Sequence, residues 1–362
     1  MKKGLLSVLT LLLLAGCGAA EETSSTESTG QNGQSSEQLE VFATVYPLAY
    51  FAERIGGERV NVQSIYPPGS NAHTFEPTQQ DMIELAEADV LFYIGLDMEG
   101  FVDSAKGSLK NENVDFIATS DGIPKANLGE GHSHDHEDEI DEHDHEEGKK
   151  EEHDHHHDEG TENHSHEHEE GSDETEHEHA EEEHGHEYGA VDPHVWISPV
   201  LSQNLAESIK NEFIERDSEN AEEYEADYKE LVQELKALDQ SFTDIARKAS
   251  QKTFFVSHEA FGYIAEPYGL EQVAVAGLNS EDEPSQKELT QIVGLAKEKN
   301  IQYIAFEQNV SSRISEVIQK EIGAEAVQLH NLSVLTQKDV DNEETYFTLM
   351  EENLDTFEKM LN

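Results

Sequence analysis

Short apolar segments alternate with amphipathic segments along most of the chain. Strands are predicted from the short apolar runs at 41–46, 60–66, 90–94, 114–118, 253–257, 272–276, 301–306 and 326–329. Helices are predicted from the segments of helical periodicity at 47–55, 78–88, 199–215, 260–268, 284–299, 311–322 and 343–360. Alternation of this kind is typical of parallel sheets flanked by helices, an α/β fold.

One helical segment is much longer than the others. Residues 219–250 are rich in charge and repeat apolar side chains at helical spacing, including Tyr228, Leu231, Leu235 and Leu238. The simplest architecture is two α/β lobes with parallel sheets joined by this long, rigid helix. The predicted lobes are residues 39–218 and 251–362.

The beginning of the chain has the pattern of a bacterial lipoprotein export signal. Residues 1–16 start with a short positive region and continue as a ten-residue apolar run at 5–14, too short to span a bilayer core of about 30 Å. Small residues precede Cys17, the only cysteine, as in a lipobox in which that cysteine is lipidated. Residues 17–38 are polar and are predicted to be a lipid anchor with a disordered tether. The protein is therefore expected outside the cytoplasm, held to the outer face of the cell membrane.

The charge of the chain is strongly negative and unevenly distributed. The formal net charge of −56 argues against a nucleic-acid partner. Residues 130–187 contain 27 of the 79 Asp and Glu residues, two Lys, and 16 of the 20 histidines. With almost nothing apolar for a core, this segment is predicted to be a disordered insertion in the first lobe.

The histidines of the insertion recur in His-x-His patterns. They are His132, His134, His136, His143, His145, His153, His155, His156, His157, His164, His166, His168, His177, His179, His184 and His186. Neutral imidazoles at this spacing chelate Zn²⁺, Cu²⁺ or Ni²⁺ without prior folding. The segment is interpreted as a low-affinity metal loop; the alternative is a solvated polar loop without a metal role.

Three histidines outside the insertion lie where ligands collect in α/β proteins, beyond the carboxyl ends of strands. His73 lies in a proline-rich loop after the strand at 60–66, and His258 directly follows the strand at 253–257. His194 follows Asp192, whose carboxylate can orient an imidazole, and Trp196 can wall the site.

Taken together, these histidines predict a metal site. Three His plus one carboxylate or water is a standard zinc ligand set. The identity of the fourth ligand stays open between Glu307, Glu76, His330 and a water. For each of these three side chains, a structural role explains its position at least as well as metal binding does.

Several motifs resemble those of the metal-specific solute-binding proteins of ABC importers, a family with zinc and manganese members. They are the lipobox, the segments 70–77, 192–196, 257–263 and 306–307, and the acidic His-rich insertion before the second histidine. The resemblance covers nearly the whole chain after the export signal. It implies two α/β lobes bridged by a rigid helix, with the metal held in the cleft by His73, His194 and His258.

The third of these positions distinguishes zinc from manganese members. Manganese members of the family usually have Glu there, and His258 therefore favours zinc. Some Gram-positive zinc members carry Glu in the last loop, at the position that Ser333 occupies in this sequence. This departure puts a carboxylate as fourth ligand in doubt.

The resemblance implies a zinc-capturing component of an importer, with an ABC permease as partner and one tightly bound Zn²⁺, acting as a monomer and not as an enzyme. The alternatives are a manganese-specific homologue, an adhesin or metal-buffering lipoprotein, and a secreted zinc hydrolase. The last lacks a His-Glu-x-x-His motif and has widely spaced candidate ligands.

Overall fold

The computed structural model describes residues 38–129, 191–310 and 313–362. The predictions that lie outside these residues are the export signal, lipidation at Cys17, the tether up to residue 37 and the His-rich insertion at 130–187. Among the described helices none combines the length and the apolar character needed to cross a membrane.

The first lobe is built on a four-stranded parallel sheet. Its strands are β1 (Leu39–Ala43), β2 (Val60–Ser64), β3 (Val90–Tyr93) and β4 (Asp115–Ala118), in the order β2-β1-β3-β4. Its helices are α1 (Tyr46–Gly56), α2 (Gln79–Ala86) and α3 (Val102–Ser108). Every residue of β3 is buried, as expected for a parallel strand covered on both faces.

Two consecutive helices follow the insertion. They are α4 (Leu201–Arg216) and α5 (Ala221–Lys248). With 28 residues α5 is about 42 Å long, and it packs against α1 and α4 of the first lobe. Its buried side chains, among them Leu231, Leu235 and Phe242, recur at helical spacing. Arg54 of α1 is clamped to Glu234 of α5 by two hydrogen bonds of 2.9 and 2.7 Å.

The second lobe repeats the sheet order of the first. Its strands are β5 (Thr253–His258), β6 (Glu271–Ala276), β7 (Tyr303–Glu307) and β8 (Glu325–Leu329), in the parallel order β6-β5-β7-β8. Its helices are α6 (Gly262–Ala265), α7 (Gln286–Glu298), α8 (Arg313–Ile322), α9 (Gln337–Asp341) and α10 (Tyr346–Met360). The end of α5 packs against α10, where the Phe242 and Phe357 ring centroids lie 5.9 Å apart. The predicted α/β class, with two parallel-sheet lobes and a long helix, is confirmed.

The segment after β8 contacts the first lobe through its backbone. The carbonyl of Ser333 accepts from the N–H of Tyr46 at 2.9 Å, and that of Leu335 accepts from Gly69 at 2.9 Å. The indole Nε1 of the fully buried Trp196 donates to the carbonyl of Asn331 at 2.7 Å. These bonds fix the two lobes to each other near the carboxyl ends of their strands.

The structure differs from the sequence prediction mainly in short helices. The helix predicted at 260–268 is only the four residues of α6, followed by a 3₁₀ turn that contains Pro267. Proline has no backbone N–H to continue an α-helix, and the turn ends at Gly269 with φ +67°. The short helices α3 and α9 were not predicted, because neither has enough turns to display a helical period.

Candidate metal centre

His73 is positioned by the loop between β2 and α2. Its backbone N–H donates to the side-chain oxygen of Asn71 at 3.0 Å, which closes a tight turn. Phe75 anchors the loop by packing edge-on against Tyr66, with 4.9 Å between ring centroids. The loop then enters α2 through a capping box formed by Thr78 and Asp81. The His73 ring is half-buried.

His194 is held by the carboxylate two residues before it. Asp192 Oδ1 accepts from the backbone N–H of His194 at 2.9 Å and lies 2.8 Å from its ring Nδ1. Because Nδ1–H donates to this carboxylate, Nε2 carries the lone pair. The ring is 1% exposed, and the Trp196 ring lies against it at a centroid distance of 5.2 Å. The predicted orienting role of Asp192 and the predicted wall at Trp196 both agree with this geometry.

His258 is the last residue of β5 and is fully buried. Its Nδ1 lies 2.9 Å from Oε2 of Glu307, the last residue of the neighbouring strand β7, and its Nε2 lies 2.9 Å from the carbonyl oxygen of Leu278. Burial by itself lowers the pKa of His258, but Glu307 and the Leu278 carbonyl raise it overall. Both ring nitrogens therefore face acceptors.

The three histidines meet at one place, and we refer to His73, His194 and His258 as the histidine cluster. One ring nitrogen from each lies within 4.8 Å of the others. The Nε2 atoms of His73 and His194 are 3.3 Å apart, about the separation of two nitrogens bound to one tetrahedral Zn²⁺ at about 2.0–2.1 Å. His73 and His194 come from the first lobe, where they are 121 positions apart in the sequence. His258 comes from the end of β5 in the second lobe.

Burial keeps two of these rings neutral. It lowers the pKa of His73 to about 2, with the neighbouring His194 and His258 acting in the same direction. Burial also lowers the pKa of His194, although Asp192 opposes the shift. Neutral imidazoles offer the lone pairs that a metal ion requires.

Glu307 lies behind His258 with both carboxylate oxygens engaged. Oε2 accepts from His258 Nδ1 and from Nδ2 of Asn331, each at 2.9 Å, and Oε1 accepts from the hydroxyl of Ser257 at 3.3 Å. Burial alone would raise the pKa of Glu307, but His258 and Asn331 lower it overall. The carboxylate is thus arranged to orient an imidazole.

The other candidates for the fourth ligand lie elsewhere. Glu76 is exposed. His330 is buried, but its Nδ1 accepts from the N–H of Leu332 at 2.9 Å and its Nε2 lies 3.2 Å from Asp339. Ser333 turns its hydroxyl to Asn331 Oδ1 at 2.9 Å. Within the described residues, the histidine cluster is the group that can hold a metal.

Sequence reasoning missed the groups that support the cluster. Leu278 lies 20 residues from His258, and Asn331 lies 24 residues from Glu307. Nothing in the local sequence marks Leu278 as a contact of His258. For Asn331, the position after the apolar strand β8 was the one available signal.

Comparisons with known proteins agree on one family. Residues 41–360 match the model of ZnuA, described as the periplasmic component A of a zinc-uptake complex. Over 350 residues the chain is 33% identical to the high-affinity zinc uptake system protein ZnuA of Bacillus subtilis, which covers 97% of this chain and 94% of that protein.

A longer relative and a solved structure extend the comparison. The zinc-binding protein AdcA of Streptococcus pyogenes is 31% identical over 320 residues, which are 88% of this chain and 55% of AdcA. The chain therefore spans about half the length of AdcA. The Zn(II)-bound ZnuA-like domain of Streptococcus pneumoniae AdcA superimposes with a TM-score of 0.64 at 25% identity, covering 90% of this chain and 99% of that domain.

Proposed function

Because the chain belongs to the ZnuA family of zinc-uptake components, we propose that it captures Zn²⁺ outside the cytoplasm and delivers it to an ABC importer. The observation that carries this proposal is the histidine cluster, in which three imidazoles from separate parts of the chain converge within ligand distance. The family consists of transport components, so zinc is the cargo of this protein and not a catalytic cofactor.

The zinc ligands in this proposal are His73, His194 and His258, each through Nε2. The support is the pair of carboxylates behind the cluster, since Asp192 and Glu307 both occupy the Nδ1 side of their histidine. A carboxylate at Nδ1 sets the tautomer that leaves Nε2 free to bind a metal. Three nitrogen ligands favour zinc over manganese, which prefers oxygen. A water from solvent completes the tetrahedral set.

Loading changes one hydrogen bond in particular. The Nε2 of His258 now faces the Leu278 carbonyl at 2.9 Å, and a metal at that nitrogen displaces this contact. Leu278 belongs to residues 277–284, whose Ser280 also touches Asn71 of the His73 loop at 3.1 Å. Because zinc and the Leu278 carbonyl compete for the same nitrogen, we propose that residues 277–284 are the surface through which the permease senses bound zinc.

The rest of the chain has supporting roles in the proposal. Lipid on Cys17 anchors the protein to the outer face of the membrane, residues 17–38 act as a tether, and the insertion at 130–187 collects metal loosely. The proposed lobes are residues 39–218 and 251–362, joined by a linking helix at 219–250, and the support for this division is the long helix α5 at Ala221–Lys248. The protein acts as a monomer that docks on its permease.

The test is a competitive zinc titration of the mature chain against a chromophoric chelator, repeated with manganese. We expect one tight zinc site that manganese does not displace and that is lost in His194→Ala. A tight site that prefers manganese, or one that survives in His194→Ala, contradicts the assignment.

Growth on scarce zinc separates transport from the alternatives. A strain that lacks this protein should need more zinc, and deleting the protein should add no further defect in a strain that already lacks the cognate permease. An adhesin or metal-buffering lipoprotein would give a phenotype that does not depend on the permease. A hydrolase would show zinc-dependent turnover in a hydrolysis screen.

A further inference from the structure

Asn331 occupies a position between the two halves of the histidine cluster. It is 7% exposed and lies just beyond the carboxyl end of β8. Its backbone carbonyl accepts from the indole of Trp196, which packs on His194, and its side-chain Nδ2 donates to Glu307, which contacts His258. One residue thus touches the immediate support of a histidine from each lobe.

The side chain of Asn331 is itself held in place. Its Oδ1 accepts from the backbone N–H of Ser333 at 3.0 Å and from the hydroxyl of Ser333 at 2.9 Å. These two bonds identify Oδ1 as the acceptor and direct Nδ2 toward Glu307. Since Glu307 is buried and anionic, the bond from Asn331 is charge-assisted and stronger than a neutral one.

Glu307 is the carboxylate best placed to become a metal ligand if it were released. Its side chain is fully buried beside His258. Of the three hydrogen bonds that orient it, one comes from the candidate ligand itself, and the other two come from Asn331 and Ser257. The latter two bonds engage one carboxylate oxygen each, so both oxygens are held by groups other than a metal.

We propose that Asn331 is a positioning residue for metal selectivity: it holds Glu307 behind His258 and so keeps a carboxylate oxygen out of the coordination sphere. This inference rests on the proposed function of the cluster as a zinc site. An oxygen ligand from Glu307 would make the site more favourable to manganese, because carboxylates suit Mn²⁺ better than imidazoles do. Asn331 therefore sets the preference for zinc without touching the ion.

The test compares variants of the mature chain that differ in single contacts. Asn331→Ala removes the donor to Glu307 but leaves the backbone carbonyl that binds Trp196. Ser333→Ala is a graded variant, since it removes one of the two bonds that hold Asn331 Oδ1 and leaves the donor to Glu307 in place. Thr44→Ala, which loses a hydroxyl bonded to the buried Glu99 of the first sheet, is the control. Glu307→Gln alone and with Asn331→Ala completes a double-mutant cycle.

Two measurements report on the cluster. One is the zinc-to-manganese affinity ratio from competitive titration, and the other is the visible spectrum after one equivalent of Co²⁺, which responds to ligand type and geometry. The insertion is identical in all variants, so difference spectra isolate the cluster. Fluorescence of Trp196, the only tryptophan, checks that the wall beside His194 is intact.

For Asn331→Ala we expect the zinc-to-manganese ratio to fall about tenfold, the equivalent of one hydrogen bond to a charged group, and the Co²⁺ bands to shift. Both changes should vanish when Glu307→Gln is added. Ser333→Ala should show a smaller change than Asn331→Ala, and Thr44→Ala should show none. Ser257→Ala removes the weaker bond to Glu307 and should give a smaller change of the same sign, which keeps the test decisive if Asn331→Ala does not fold.

An unchanged ratio and spectrum in Asn331→Ala would overturn the role of Asn331 while leaving the zinc site in place. If that variant does not fold, the same result in Ser257→Ala would overturn it. Changes that persist with Glu307→Gln would overturn it as well, because they would not pass through that carboxylate. The absence of a one-equivalent site in the unmodified protein would instead overturn the proposed function, and this inference with it.

Discussion

The two sheets share one strand order, and each places a buried glutamate near the carboxyl ends of its two central strands. In the first sheet Glu99 follows β3 and accepts from the hydroxyl of Thr44, the residue after β1, at 2.7 Å. In the second sheet Glu307 ends β7 and pairs with His258 at the end of β5, at 2.9 Å. The positions correspond, but the partners differ.

The partner decides the charge of each carboxyl group. Burial raises the pKa of Glu99 to about 7, even though backbone N–H groups of Ile94 and Gly95 and the Thr44 hydroxyl favour its ionised form. Burial acts on Glu307 in the same direction, but the adjacent His258 reverses the shift and lowers its pKa. Glu99, whose partner is the neutral Thr44 hydroxyl, connects two strands of the first sheet. Glu307, whose partner is the imidazole of His258, is ionised and orients that ring.

Replacing His258, the partner of Glu307, should have the largest effect on zinc affinity. Loss of a residue that supports a metal ligand can weaken metal binding up to about hundredfold. His258→Ala removes a proposed ligand itself, so we expect a larger loss of zinc affinity. Thr44→Ala, at the corresponding place in the first sheet, should leave zinc affinity unchanged. Competitive zinc titration of both variants checks this. Similar losses of zinc affinity in the two would contradict the conclusion that only the second-sheet pair serves the metal site.

The pH dependence of stability should report on Glu99. Since its pKa in the folded protein is raised, the folded state binds this proton more tightly than the unfolded state does. Its contribution is complete below the ordinary value of 4.5 and is lost as pH rises through about 7. The loss is about 3 kcal/mol of unfolding free energy.

Chemical denaturation in the presence of a chelator, at a series of pH values, measures this loss. Glu99→Gln cannot titrate, so its stability should fall less between pH 5 and 8 (roughly the span of the two pKa values) than that of the unmodified protein. Parallel curves for the two proteins would show that the Glu99 carboxyl does not hold its proton in the folded state.

Removing the charge from Glu307 should have an intermediate effect. Glu307→Gln should weaken zinc binding about ten- to hundredfold, the usual cost of losing a carboxylate that orients a metal-binding histidine. Glu99→Gln is the control from the other sheet and should bind zinc normally. A loss of zinc affinity in Glu99→Gln of the same size would mean that both carboxylates support the site.

The smallest effects should come from helix caps that follow the two site loops. Thr78 caps α2 after the His73 loop, and Ser285 caps α7 after residues 277–284, each through a capping box. Thr78→Ala and Ser285→Ala should each cost about 1 kcal/mol of stability without changing zinc affinity. Thermal unfolding and zinc titration check both statements, and a zinc defect in either would show that its loop needs the cap to place its ligand.

Much of the fold could be predicted because each lobe follows simple patterns. Buried parallel strands such as β3 and β5 appear in the sequence as continuous apolar runs, and α5 displays its buried stripe over many turns. The five-residue α9 gives no such signal, since it is too short to display a helical period.

The histidines that converge could be predicted from the sequence, and so could Asp192 behind His194, but not the contacts around His258. His73 and His258 could be singled out because strand ends collect ligands. Glu307 was expected as a possible fourth ligand, and the structure instead pairs it with His258. The contacts that decide its orientation come from Asn331 and Ser257, at separations of 24 and 50 residues, where only the folded arrangement brings the groups together.

Anomalous diffraction at the zinc absorption edge, on crystals of the zinc-loaded mature chain, tests the central claim most directly. It locates the ion without interference from the histidines of the insertion. We predict a peak bounded by Nε2 of His73, His194 and His258 at about 2.0–2.1 Å from each, with the Glu307 carboxylate still on Nδ1 of His258. A zinc-loaded crystal with no peak inside the cluster, or with the ion held by other residues, would contradict it.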